Sequence, residues 1–152
     1  MSEPGAVERC YREQSERLWR ALLLFTGSPE VASDSMAEAF AQMIRRGEAV
    51  HRPDRWVWRA AFNIARGELA RGSRIDHVVP DLAVEMEAST VDLVRGLRQL
   101  SPRQRASLIL RHYAGYSNGE TARIIGSTPA AVAVHLQRGR RRLAQLLEEK
   151  DG

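Results

Sequence analysis

The stretch Ser117-Asn-Gly-Glu-Thr-Ala-Arg-Ile-Ile-Gly-Ser-Thr-Pro-Ala-Ala-Val-Ala-Val-His-Leu-Gln-Arg-Gly-Arg-Arg-Arg142 decides the fold. It reads as a helix-turn-helix running straight into a basic cluster. Ala122 is small enough for two helices to cross closely, Gly126 suits a left-handed turn, and Val132 packs the second helix back on the first. Ser117 with Glu120 predicts a capping box, and Thr128-Pro129 predicts an N-cap followed by a residue already set at helical φ. Small helical hairpins with Ala and Gly at these places also occur as packing units. The arginines at 138, 140, 141 and 142 tip the reading toward a second helix laid in a DNA groove.

The charge distribution agrees. Residues 1–72 carry eleven basic and ten acidic side chains, residues 73–96 two and five, and residues 97–152 ten and four. The C-terminal third is therefore the electrostatic footprint for phosphate. A chain of 152 residues with 43% hydrophobic content suffices for one ordinary domain or two small helical ones.

Working outward, an all-α architecture is expected: two small helical domains joined by a flexible acidic linker, the second a helix-turn-helix domain. The first, residues 1–72, should hold three helices. One spans about 5–26 with Leu18, Leu22 and Phe25 inward and ends at Gly27. A second, capped by Ser28-Pro29, runs to about Arg46 with Ala32, Met36, Ala39, Phe40 and Met43 inward. The third, about 54–71, has Trp56, Ala60 and Ile64 as its apolar stripe and Arg55, Arg59, Asn63 and Arg66 as its polar one. Trp56 and Trp58, two apart, cannot both face one core, so one packs and the other lies at a surface. Arg9, Arg12, Arg17 and Arg20 interleave with glutamates and read as a solvated face.

Residues 73–89 lose any sustained apolar face and read as the linker, although Val84 and Met86 could nucleate a short helix. Residues 90–152 resume with Val91, Val94, Leu97 and Leu100. A second capping box, Ser101-Pro-Arg-Gln104, opens a helix with Ala106, Leu110 and Tyr113 inward. The last helix keeps Val132, Leu136, Leu143 and Leu147 on one side.

Catalytic chemistry is not written here. His51, His77, His112 and His135 have no second ligand at metal spacing, and no phosphate loop, nucleophile elbow or paired carboxylates in an apolar setting occur. The expectation is a non-enzyme with no metal and no cofactor. The single Cys10 suits a reducing cytoplasm as a buried thiol, and no apolar run approaches the roughly 20 residues of a membrane span. A cytoplasmic protein without membrane contact is expected.

The residues from Leu100-Ser-Pro-Arg-Gln to Ile125-Gly, then Val132 to Leu143, resemble the fourth region of an extracytoplasmic-function sigma factor. Gly27-Ser-Pro-Glu-Val-Ala-Ser-Asp-Ser-Met-Ala-Glu-Ala-Phe40 resembles that family's second region, and Trp56-Val-Trp-Arg-Ala-Ala-Phe-Asn-Ile-Ala-Arg-Gly-Glu-Leu-Ala-Arg71 its promoter-melting helix. The resemblance implies core RNA polymerase and promoter DNA as partners, with an anti-sigma factor left open. It places Asp34 and Glu38 against the polymerase. It puts Arg55, Arg59, Asn63 and Arg66 beside the melted strand, with Trp58 or Phe62 as a stacking surface. It sets Thr128, Ala130, Ala133, Val134, Gln137, Arg138, Arg141 and Arg142 on the duplex.

Where the family commonly shows Thr-Val-Lys-Ser-Arg, this chain reads Ala131-Val-Ala-Val-His135. Small apolar groups can touch thymine methyls but cannot form bidentate pairs with bases. A stand-alone helix-turn-helix regulator, or a sigma-like adaptor that has lost strong promoter readout, are the alternatives.

Overall fold

The computed structural model describes residues 5–47, 50–71 and 88–151. Among these the chain is all-α, and the helix boundaries follow local capping chemistry. Helix α1, Ala6–Thr26, ends at Gly27, whose amide donates to the Leu23 carbonyl. Helix α2, Pro29–Arg46, starts where the Ser28 hydroxyl accepts from the Val31 amide at 3.1 Å. Helix α3 spans Pro53–Arg71. The acidic stretch expected as a linker lies outside the described residues as far as position 87, as do Val84 and Met86. Helix α4, Ala88–Arg98, then begins.

Helix α5, Pro102–Leu108, carries the expected capping box: Ser101 Oγ accepts from the Gln104 amide at 3.2 Å, and Gln104 Oε1 from the Ser101 amide at 3.3 Å. It runs on into one π-helical turn, Ile109–Tyr113, closed by Ala114 N–H on the Ile109 carbonyl at 3.0 Å. Such a wide turn shifts the helical register, and the face read from period 3.6 changes with it. Leu110 is buried as expected, but Tyr113 is turned to solvent.

Helices α6, Asn118–Ile125, and α7, Pro129–Asp151, form the helix-turn-helix. Ser117 and Glu120 make the predicted box, and Gly126 sits at φ 68°, a conformation an L side chain rarely adopts. Ala122 and Val132 are buried at the crossing. Gly139 explains how a helix this basic lies flat on the core. A β-carbon there would come within 3.1 Å of Leu108 Cδ1, so a larger residue would make the Leu108 side chain give by a few tenths of an ångström. The glycine faces inward while the arginines on either side face out. Leu143 still packs on the core, but Leu147, expected on the same side, is exposed because α7 outruns the helices beneath it.

One prediction for α3 needs correcting. Its buried arc is Val57, Trp58, Ala61, Phe62 and Ala65, one residue round from the Trp56, Ala60, Ile64 stripe, which lies at the edge of the core. The reason is crowding: α3 packs against α1, α2 and α6 at once, so a wider arc is covered. Of the tryptophan pair, Trp58 is the packed one and Trp56 is half-buried beneath the Arg46 guanidinium.

The helices of residues 5–71 and those of 88–151 share one hydrophobic cluster. Its central polar feature is Arg105, 6% exposed, with no carboxylate among its bonded partners. Nη1 donates to the Phe25 carbonyl at 2.7 Å, Nε to Leu97 at 2.9 Å, and Nη2 to Leu100 at 3.1 Å and Arg98 at 3.4 Å. One guanidinium thus satisfies carbonyls at the ends of α1 and α4, which the helices leave without partners. Burial, then the neighbouring Arg98 charge, pull its pKa down to about 10, so it stays protonated near neutrality.

Candidate nucleic-acid interface

The exposed side of α7 is built by subtraction. Val132, Leu136 and Gly139 point inward, which leaves Ala130, Ala133, Val134, Gln137, Arg138, Arg141 and Arg142 in one outward arc. All seven are exposed. The first half of the arc is small and apolar and the second half is cationic. The helix therefore offers methyl-sized contacts near its start and charge farther along, beyond the turns that normally reach base edges. Thr128 is exposed too, but its oxygen already accepts from the Ala131 amide at 3.1 Å. Its O–H can still donate, and its oxygen keeps a second lone pair.

Arg140 leaves this group. Its Nε and Nη2 lie 3.2 and 2.7 Å from His112 Nε2 on the π-helical turn. Partial burial, then the charges of Arg140 and Arg111, hold His112 below the ordinary imidazole range, so this nitrogen can accept from the guanidinium.

The second basic stripe runs along α3. Arg59, Asn63 and Arg66 are exposed and Arg55 is half-buried, so the four share one face as expected. On one side, Arg59 and Asn63 line an open groove of about 550 Å³ with Gln42, Arg46 and Trp56. On the other side the stripe meets α6. Arg55 Nη2 bonds Glu120 Oε2 at 2.9 Å, and Arg66 Nη1 donates to the Ile125 carbonyl at 3.4 Å.

The proposed stacking surface is corrected here. Trp58 and Phe62 are 0% and 3% exposed and stack on each other with centroids 6.1 Å apart. Neither can meet a base. Trp58 serves the core, donating to Gln14 Oε1 at 2.9 Å and receiving the edge of Tyr116. The aromatic ring that does line the groove is Trp56.

On α2, Asp34 and Glu38 are both exposed and lie one turn apart. Glu38 is partly committed: Oε1 accepts from Arg45 Nη2 at 2.9 Å and from Gln42 at 3.3 Å. Those hydrogen bonds hold its carboxyl below the usual range. On α1, Arg17 is exposed as foreseen, but its guanidinium also reaches across to the other half of the chain. It lies over the Trp58 ring and donates to the Ala114 carbonyl. Cys10 is buried, and burial pushes its thiol up to about 11.

Sequence reasoning missed Arg105, Gly139 and the second role of Glu120. Arg105 had a signal, a lone charge in register with Leu108 and Ile109. Glu120 had none, because its partner lies 65 residues away. Among the described residues no group of His, Cys, Asp or Glu is placed to hold a metal, and no helix is long and apolar enough to cross a membrane.

Residues 90–143 match the family described as Sigma-70, region 4. Over 97% of its length the chain is 26% identical to the ECF RNA polymerase sigma factor BldN of Streptomyces coelicolor, and spans 62% of that protein. It is 28% identical to the RNA polymerase sigma-E factor of the same organism, covering 99% of this chain and 91% of the relative. Its fold is that of the sigma factor RpoE of Bartonella quintana, solved in complex with the anti-sigma factor NepR. The TM-score is 0.78 at 17% identity over 95% of this chain and 98% of that one. Residues 90–143 thus match a sigma region four, and over most of its length the chain is similar to extracytoplasmic-function sigma factors.

Proposed function

We propose that this chain binds core RNA polymerase in the cytoplasm and directs promoter-specific initiation of transcription. In this reading Asp34 and Glu38 of α2 face the polymerase, the α3 stripe follows the separated promoter strand, and α7 lies on duplex DNA. The observation that carries it is the pairing, in one chain, of the outward arc of α7 with the polar stripe of α3. One suits a groove and the other a melted strand, which initiation requires together. The likeness to RpoE supports an anti-sigma factor as a further partner. Co-elution with core polymerase, followed by run-off transcription on duplex promoters, tests the whole. A stand-alone regulator would bind DNA without the enzyme, and an adaptor would bind the enzyme without initiating.

Asn63 and Arg59 face the open groove beside Trp56, where an unpaired base has polar partners and an aromatic ring. Asn63→Ala removes a hydrogen-bonding group worth about 1 kcal/mol, or about fivefold. Permanganate reactivity of the promoter should fall by that factor while affinity for core polymerase is unchanged. Equal promoter opening by mutant and parent would remove Asn63 from the role.

Arg138, Arg141 and Arg142 act on phosphates. None can turn inward, because the opposite side of α7 is filled by Val132, Leu136 and Gly139. Removing one phosphate-binding arginine flattens the dependence of log affinity on log salt by about 0.9 and weakens all sequences alike. A salt titration of full-length Arg141→Ala on promoter and scrambled duplexes should show both effects. Gln137→Ala should instead change the ratio between the two DNAs. A shifted ratio with an intact slope for Arg141→Ala would reverse these roles.

A further inference from the structure

Arg140 is set apart from the outward arc of α7 by a single contact. Its Nε and Nη2 both address His112 Nε2, at 3.2 and 2.7 Å, and the two side chains are otherwise exposed. A guanidinium has donors and no acceptor, so the contact exists only while that nitrogen keeps its lone pair and the ring proton sits on Nδ1. None of the ion pairs among the described residues takes up Arg140. The charged groups around the π-helical turn are engaged elsewhere. Helix α1 brings Arg17, on the Ala114 carbonyl, and α6 brings Glu120, on Ser117 and Arg55, and Arg123, in a cleft with Arg59. Helix α5 carries Arg105, on the Phe25 carbonyl, and Arg103, whose charge acts on His135. Arg111, on the turn itself, donates to Asn118 Oδ1 at 2.9 Å. The charges that act on His112 are those of Arg140 and Arg111, both cationic, and with burial ahead of them they hold the imidazole below its ordinary range.

We propose that Arg140 is a fourth phosphate contact of α7, released to DNA when His112 takes up a proton from solvent. The inference rests on the phosphate reading of Arg138, Arg141 and Arg142 given above. An imidazolium carries an N–H where the acceptor was, so proton uptake leaves two cations face to face and no lone pair between them. Arg140 then swings into the water that its neighbours on α7 already face. The sign follows from the contact. The guanidinium is held while the ring is neutral and free once it is charged, so DNA affinity and its salt dependence both rise as pH falls. By reciprocity, a phosphate bound at Arg140 favours the protonated ring, and DNA binding draws in a proton.

The test titrates the full-length parent, His112→Gln and Arg140→Ala with a promoter duplex over a range of salt. It is run at about pH 8 and about pH 5, on either side of the ordinary histidine value. Helical circular dichroism at both values identifies the folded chain in each arm. Glutamine offers Arg140 an oxygen acceptor that stays uncharged throughout. From the higher pH to the lower, the dependence of log affinity on log salt should steepen in the parent by about 0.9 more than in His112→Gln, one additional phosphate contact. Arg140→Ala should match His112→Gln. The other histidines, His51, His77 and His135, are common to every variant and cancel in the comparison. In the free chain, the Nε–H magnetic resonance of Arg140 should move with pH in the parent and stay fixed in His112→Gln, which reads the release without DNA. Equal steepening in parent and His112→Gln, or an Arg140 signal indifferent to pH, would overturn the proposal. Full steepening in Arg140→Ala would overturn it too, because the imidazolium itself would then be the contact. If the parent binds duplex at neither pH, the phosphate reading of α7 fails and the fourth contact with it, while a moving Arg140 resonance would still establish the proton-gated hold.

Discussion

Replacing Arg105 by methionine should destabilise the chain by ~3 kcal/mol or more. Methionine fills most of the volume, so cavity formation is a minor part of the loss. The main part is the orphaning of buried carbonyls. Phe25, Leu97 and Leu100 each lose a bond of 3.1 Å or shorter, and helix ends have no spare amides to replace it. A buried polar group left unsatisfied costs about 1–3 kcal/mol. The guanidinium also lies 5.7 Å from the centroid of the Phe25 ring, and an uncharged thioether forgoes that cation–π attraction. For a chain of this length the destabilisation corresponds to a fall of ~6–12 °C in melting temperature. Arg105→Lys should recover only part of it, because an ammonium cannot reach three directions that a planar fork spans. Urea unfolding of the two variants against the parent measures this. A loss below about 1 kcal/mol would mean that water already serves those carbonyls.

The contrast between Arg105 and the helix-turn-helix marks how far a sequence can be read. Ser101, Ser117, Thr128, Pro129 and Gly126 act on backbone within a few residues, so their caps and turn were legible and the structure contains them. The outward arc of α7 was legible too, because burial of Val132 and Leu136 forces the remaining positions outward. What could not be read is what depends on a second helix arriving. The apolar stripe of α3 lies one residue round from its expected place because three neighbours cover the helix, and that same packing buries Trp58 and Phe62, the rings expected to meet DNA. Arg17 is exposed as its interleaving with glutamates predicts, but its bond to the Ala114 carbonyl is not legible because that carbonyl is 97 residues away. Tyr113 failed for a local reason, a π-helical turn that no hydrophobic period announces.

Reversing the charge of α2 should have the largest functional effect. Asp34→Lys with Glu38→Lys is expected to abolish co-elution with core RNA polymerase while helical circular dichroism stays that of the parent. Both side chains are exposed, one turn apart, on a helix whose other side carries Ala32, Ala39 and Met43 into the core. The substitutions therefore leave packing alone. Like charges brought together across an interface cost several kcal/mol, which is at least about a hundredfold in affinity. The two positions are not equivalent. Glu38 is already shared with Arg45 at 2.9 Å, so part of its field is spent within the helix. Asp34 makes no ion pair among the described residues. Asp34→Lys alone should weaken polymerase binding more than Glu38→Lys alone, and its effect should ease more steeply as salt is raised. Glu38→Lys also sets a lysine against Arg45, which the exposed side chains relieve by swinging apart into water. Size-exclusion chromatography of each single variant and of the pair with core enzyme, at two ionic strengths, reads out the order. Retained co-elution of the double variant would remove this face of α2 from the polymerase contact. A larger effect at Glu38 would mean that the enzyme breaks the Arg45 pair and takes the carboxylate for itself.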